Sequence, residues 1–165
     1  MQKPAPIPPG PGQESVWDYP RPPRLEASTK RIRIIYNGVV IADSTNALRV
    51  LETSHPPVYY IPPADIQMQY LTKASRQTFC EFKGAASYYN VAVNGASVTQ
   101  AGWYYPQPSP GYTDLANYVA FYPSKMEACY IDEEQVTSQP GDFYGGWITQ
   151  DIVGPFKGDP GTLHW

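Results

Sequence analysis

Histidine and cysteine are nearly missing from this 165-residue chain, with two of each. Two histidines make a His-based metal site improbable, and Cys80 and Cys129 form neither a Cys-x-x-Cys pair nor a disulfide framework. Charge is also scarce: Asp, Glu, Lys and Arg make up 16% of residues, against an average of about a quarter. The formal net charge is −3 and no basic patch stands out. That argues against binding nucleic acid through its phosphates, where clustered Lys and Arg carry most of the affinity. No apolar run approaches the roughly 18 residues a membrane span needs, and no secretory leader is visible. The expectation is a soluble, cytoplasmic protein with no membrane partner. Glycine loops in the strand-to-helix context that cradles phosphate are missing too, at Gly145-Gly146 and at Gly158-x-Pro160-Gly161, and no cofactor motif is present. Asp132-Glu133-Glu134 matches no cation loop and reads as a solvated turn.

What the chain has instead is rings and prolines: 14 Tyr, 4 Trp, 5 Phe and 19 Pro. An aromatic-x-Tyr-Pro-x-Pro element occurs twice, at Trp17–Pro22 and Trp103–Pro108. Asn-Gly occurs twice, at 37–38 and 94–95, each time between apolar runs. Asn-Gly is a strong hairpin signal because both central residues of a type I′ turn need positive φ. The first hairpin spans Arg31–Asp43, with Ile32 and Ile34 facing away from Arg31 and Arg33. Lys30-Arg31-x-Arg33 reads as charge protecting a strand edge. Residues 47–52 fit a strand or one helical turn, stopped by Ser54-His55-Pro56-Pro57. Val58–Ile61 is a short strand, and Ala64–Leu71 reads as a short helix. The second hairpin runs from Thr78–Phe82 through Lys83-Gly84 into Ala86–Val93 and returns over Ser97–Tyr105, with Gly84 marking a bulge or a close backbone approach. A one-turn helix is expected at Asp114–Asn117. A third hairpin is expected to pair Tyr118–Tyr122 with Met126–Ile131.

Short strands joined by turn signals predict a mainly β, barrel-like or tent-like antiparallel domain with three hairpins, one or two short helices and extended Pro/Gly-rich arms. Residues 1–14 read as a disordered, proline-rich leader, and 15–165 as a single domain including an N-terminal arm and a wrapping tail.

Ala47–Pro62, then Cys80–Tyr89, then Trp103–Pro106 and Tyr118–Tyr122 together resemble the domain-of-unknown-function family 427, sometimes labelled nucleotidyltransferase-like. The resemblance runs from about Ser15 to the C-terminus. It implies a compact β fold similar to that of methionine-sulfoxide reductase B and its structural relatives. The zinc-binding Cys-x-x-Cys pairs of that wider group are absent, as is a Gly-Ser followed by paired metal-binding aspartates.

Candidate chemistry centres on two groups. Cys80, Glu81 and Lys83 sit together; strand alternation would put Cys80 and Phe82 on one face and Glu81 and Lys83 on the other, unless a bulge at Gly84 shifts the pattern. A Lys beside a thiol favours its thiolate, yet a lone Cys often serves as a small hydrophobe. Arg49, Glu52 and His55 follow at three-residue spacing: on a helix they share a face, on a strand Arg49 points away from Glu52. They fit anion binding with proton handling, or an Arg–Glu ion pair beside a His held by the proline turn. Adjacent aromatic pairs, Tyr59-Tyr60, Tyr88-Tyr89 and Trp103-Tyr104-Tyr105, must send alternate rings to opposite faces. One ring of each pair is then core, and the other is exposed, covered by the arms or lines a cleft. Three functions remain open. One is a domain binding a small ligand or protein partner through Arg49, Glu52, Tyr60, Lys83, Tyr88 and Trp103. Another is a small, transferase-like enzyme with Cys80 or Lys83 as nucleophile and Glu52 or His55 as acid–base partner. The last is a structural or assembly protein with a homo-oligomeric contact.

Overall fold

The computed structural model describes residues 3–141 and 143–165; Met1 and Gln2 of the expected leader, and Asp142 of the tail, lie outside the described residues. Its regular structure consists of strands and short 3-10 turns. The strands are β1 (Glu14–Ser15), β2 (Arg24–Ala27), β3 (Ile32–Tyr36), β4 (Val39–Ser44), β5 (Leu48–Leu51), β6 (Val58–Tyr60), β7 (Leu71–Cys80), β8 (Gly84–Val93), β9 (Ala96–Tyr104), β10 (Val119–Phe121), β11 (Ala128–Ile131), β12 (Glu134–Gln135), β13 (Thr137–Ser138), β14 (Trp147–Ile148) and β15 (Ile152–Val153). The larger sheets have the orders β10-β9-β8-β7, β12-β11-β3-β4 and β2-β5-β6, and none closes into a barrel among the described residues. The barrel-like alternative therefore gives way to open antiparallel sheets.

Both Asn-Gly turns close hairpins with positive φ at each central residue: 47° and 76° at Asn37-Gly38, 49° and 87° at Asn94-Gly95. The Asn37 side-chain amide donates to the Val93 carbonyl at 2.9 Å, tying the first turn to the second hairpin. Ile32 and Ile34 are fully buried, as the alternation requires. Their cationic neighbours do not guard an edge, because β3 lies inside its sheet between β11 and β4. Arg31 instead forks onto Asp43 across the β3–β4 pair, Lys30 meets Asp151 at 2.9 Å, and Arg33 lies over the Tyr130 ring.

Other expectations fail for identifiable reasons. Residues 64–71 form two 3-10 turns (63–65 and 68–70), not a helix, since each is only three residues long before the chain turns extended. The turn expected at 114–117 is likewise a 3-10 turn, at Thr113–Leu115. The third hairpin does not exist. Pro123, which has no N–H for a ladder, opens a 3-10 turn at 123–125 that diverts the chain between sheets. β10 then pairs with β9, and β11 with β3.

The sheet of β7 to β10 separates two apolar clusters. One holds Ile32, Ile34, Tyr59, Val91, Tyr104, Phe121 and Trp147; the other holds Val50, Tyr60, Tyr88, Trp103, Tyr105 and Tyr122. Each adjacent aromatic pair is split between them, because successive strand residues face opposite ways. Tyr59 and Tyr104 go to the first cluster, Tyr60, Tyr88, Trp103 and Tyr105 to the second, while Tyr89 stacks on Tyr104 at 4.4 Å.

The termini are fastened to this body. Ile7 N–H donates to the Gly154 carbonyl at 2.9 Å, β1 runs parallel to β15, and the Glu14 carboxylate takes two bonds from Arg49, each 3.0 Å.

Candidate functional site

The second aromatic cluster is incompletely filled. It opens into a cavity of about 250 Å³ bounded by β5–β6, the tip of the β7–β8 hairpin, β9, and the C-terminal segment through Phe143, Tyr144 and Lys157. Its wall is a set of rings in fixed contact. Trp103 lies 4.6 Å from Tyr122 and edge-on to Tyr60 at 6.2 Å, and its indole N–H donates to the Tyr60 hydroxyl at 3.2 Å. Tyr105 packs 6.2 Å from Tyr60. The Tyr88 hydroxyl shares a 2.9 Å hydrogen bond with Thr78, and the Arg76 guanidinium covers the Tyr88 ring at 4.7 Å. Burial pushes the Tyr60, Tyr105 and Tyr122 hydroxyls upward, so all three are neutral donors at physiological pH.

The hairpin tip supplies the charge. Cys80 pairs with Gly84, so Glu81, Phe82 and Lys83 form a three-residue loop rather than continuing the strands. Strand alternation lapses there, and Cys80, Glu81, Phe82 and Lys83 all reach the cavity lining. Gly84 makes this loop feasible: its φ is +105°, and a Cβ would come 3.2 Å from the Ser109 hydroxyl. The Lys83 carbonyl also accepts the Ser109 N–H at 2.9 Å, anchoring the loop to the 107–109 segment.

Lys83 is only 8% exposed. Its ammonium lies 6.0 Å from the Tyr105 ring centroid, and no carboxylate comes within 4.0 Å of it among the described residues. Burial works against the charge, but the acidic groups Tyr60, Cys80 and Glu52 outweigh it and set the shift upward. Lys83 is therefore a cation at neutral pH, and so a poor nucleophile.

Glu52 and His55 stand at one side of the mouth. Glu52 meets Arg21 at 3.3 Å, and His55 Nε2 at 3.6 Å. Gln139 fixes the imidazole: its amide oxygen accepts the Gly146 N–H and its amide nitrogen donates to the Lys157 carbonyl, which leaves a donor facing His55 Nδ1 at 3.2 Å. Nδ1 is thus an acceptor and the proton sits on Nε2, toward Glu52. Burial foremost, then the positive charges of Lys157, Arg21 and Lys83, lowers the His55 pKa to about 3. With its lone pair occupied and its proton affinity this low, His55 is badly placed for acid–base work near neutrality.

Of the residues singled out from the sequence, Glu52, His55, Tyr60, Cys80, Lys83, Tyr88 and Trp103 converge on this cavity. Arg49 does not. It lies on β5 facing Tyr59 across the strand pair, 14% exposed, and binds Glu14 and Glu26 rather than Glu52. Cys129 is buried in the first cluster, where burial pushes its thiol up, and the two cysteines are unlinked. Tyr122, Tyr144 and Lys157 also line the cavity, and no local signal marked them. Beside Tyr144, however, the glycine pair Gly145-Gly146 was a signal that could have been used. A Cβ on Gly145 would come 2.7 Å from the Trp103 indole, and one on Gly146 would come 2.7 Å from the Pro56 ring. Those glycines let the tail backbone lie directly against the pocket wall.

The fold and the cavity define an all-β protein with an aromatic pocket holding one buried cation. Residues 24–132 match a family described as a domain of unknown function, DUF427, and the chain belongs to that family. That stretch carries β2 through β11 and the hairpin tip, and Phe143, Tyr144 and Lys157 lie beyond it; the match is narrower than the span from Ser15 to the C-terminus expected from the sequence. No curated protein matches the chain. No helix among the described residues is long and apolar enough to cross a membrane.

Proposed function

We propose that this protein binds a small molecule in the aromatic pocket, with Tyr60, Trp103 and Tyr105 as its walls and Tyr88, Glu52 and Lys83 as its polar contacts. The observation that carries the reading is the concave site where, among the described residues, rings converge with a buried ammonium that has no carboxylate within 4.0 Å. Apolar walls with a few placed polar groups are what small-molecule sites are made of. A thermal-shift screen of metabolites tests it, repeated on Val58→Trp, which fills the cavity from β6. Ligands that raise Tm in the wild type and lose the effect in the filled variant support binding there. Hits that persist in the filled variant place binding elsewhere.

A second reading is an enzyme using the same pocket with Cys80 as nucleophile. What favours it is the half-buried thiol lining the cavity three residues before Lys83. Lys83 as nucleophile has less support, since its proton is held.

A further inference from the structure

The charges around the cavity constrain what it takes. Among the described residues the lining holds Lys83, which is buried, a second lysine, Lys157, and the carboxylates of Glu52 and Glu81; Lys157 is turned to the Tyr144 ring at 5.3 Å and to the Trp165 carbonyl at 3.4 Å. Glu52 is already matched by Arg21 at 3.3 Å, and His55 is neutral. Among the described residues the cavity therefore offers one buried ammonium with no carboxylate within 4.0 Å. The Tyr60 hydroxyl accepts from Trp103 at 3.2 Å, which leaves its own proton to donate to a second oxygen. Lys presents a point charge, without the fork that suits phosphate dianions, and no arginine lines the cavity. At about 250 Å³ the cavity is smaller than the roughly 300–1,000 Å³ of drug-sized sites. Its walls are ring faces and edges, which favour a flat apolar body.

We infer that the ligand is a small planar aromatic acid carrying one negative charge, its carboxylate set on Lys83 Nζ and the Tyr60 hydroxyl and its ring held against Trp103 and Tyr105. The inference rests on the pocket being a ligand site. It excludes a polyphosphate, whose several charges would meet one buried lysine beside the carboxylates of Glu52 and Glu81.

Calorimetry on the full chain with indole-3-acetate, indole-3-acetamide and ATP as probes tests it. The acid and the amide share one ring and differ in charge. The acid should bind at least ten-fold more tightly than the amide in the wild type. In Lys83→Met, checked for an unchanged circular-dichroism spectrum, the acid should lose that advantage while the amide keeps its affinity. Equal wild-type affinities for acid and amide would overturn the charge assignment yet leave the pocket standing. ATP binding more tightly than the acid would overturn the single-charge assignment. If neither indole binds while the wild type is folded, the aromatic-acid inference falls, whereas the pocket reading falls only if the metabolite screen also finds no ligand that Val58→Trp abolishes. The acid–amide comparison in the wild type needs no variant, so the test survives a misfolded Lys83→Met.

Discussion

The Lys83 ammonium faces the Tyr105 ring from 6.0 Å and has no carboxylate within 4.0 Å among the described residues. A cation over a ring is stabilised by about 0.5–1 kcal/mol at exposed sites and about 2 when desolvated. A hydrogen bond to a charged group contributes about 1.5–3 kcal/mol. The ring holds the cation in place without neutralising it, and a carboxylate entering the cavity would bind it more strongly.

Arg49 supplies a contrast. It is bound to both Glu14 and Glu26, and it lies outside the cavity. Arg49→Met should leave indole-3-acetate affinity within two-fold of wild type. It should cost on the order of 1 kcal/mol in stability, because Glu14 and Glu26 keep partial access to water. Calorimetry and urea unfolding of the one variant measure both. A ten-fold loss of affinity would mean that Arg49 acts on the site.

His55 should make stability depend on pH in a fixed direction. Its folded pKa of about 3 lies below the ordinary 6.5, so the unfolded chain binds the extra proton between those values. Stability from this group is complete above pH 6.5 and falls as pH drops toward 3, with a limiting slope of about 1.4 kcal/mol per pH unit. Urea unfolding between pH 8 and pH 5 should show the decline, and His55→Gln should flatten it. Equal slopes in the two proteins would contradict the buried, neutral imidazole.

Cys80 should react with a preference for anions. Iodoacetate and iodoacetamide alkylate alike: the thiolate forms a C–S bond, the C–I bond breaks, iodide leaves and the thiol proton goes to solvent. Free thiols usually favour the amide. Beside the Lys83 cation, Cys80 should react several-fold faster with iodoacetate, and Lys83→Met should reverse the order. Cys129, 2% exposed, should stay unlabelled in the native protein. Mass spectrometry of the alkylated peptides settles the ratio, and an amide preference in the wild type would remove the electrostatic link.

Gly145→Ala tests how the tail is seated. The residue has a φ of +70°, and the added methyl would meet Trp103 at 2.7 Å and Tyr122 at 2.9 Å. Both the backbone and the packing resist it, so a loss of about 1–3 kcal/mol is expected. With roughly 2–4 °C per kcal/mol at this chain length, calorimetry should read a Tm lower by several degrees. An unchanged Tm would mean that the tail does not rest on the indole.

Local chemistry explains what was legible in the sequence. Asn37-Gly38 and Asn94-Gly95 announce their hairpins because few other residues accept positive φ twice in a row. Tyr59-Tyr60 and Trp103-Tyr104-Tyr105 divide between two cores because a strand leaves them no alternative. The start of β7 was not legible: Thr72, Lys73, Ser75, Arg76 and Gln77 carry no apolar alternation, and the strand exists because β8 pairs with it. Nor was the missing third hairpin, since Val119–Phe121 and Ala128–Ile131 pair with strands distant in sequence. The pocket itself was half visible. The grouping of Cys80 and Lys83 was local, but their shared orientation depends on the loop at Glu81–Lys83 that Gly84 permits. Tyr144 and Lys157 arrive from the far end of the chain, a juxtaposition made only by tertiary packing.

The most direct measurement is a two-dimensional NMR titration following the four tryptophan indole N–H signals as indole-3-acetate is added. The Trp103 signal, whose proton is held by the Tyr60 hydroxyl inside the cavity, should shift in proportion to occupancy while those of Trp17 and Trp165 stay in place. A titration that moves Trp17 or Trp165 and leaves Trp103 unchanged, or that moves none of the four, would contradict a binding site built around Lys83.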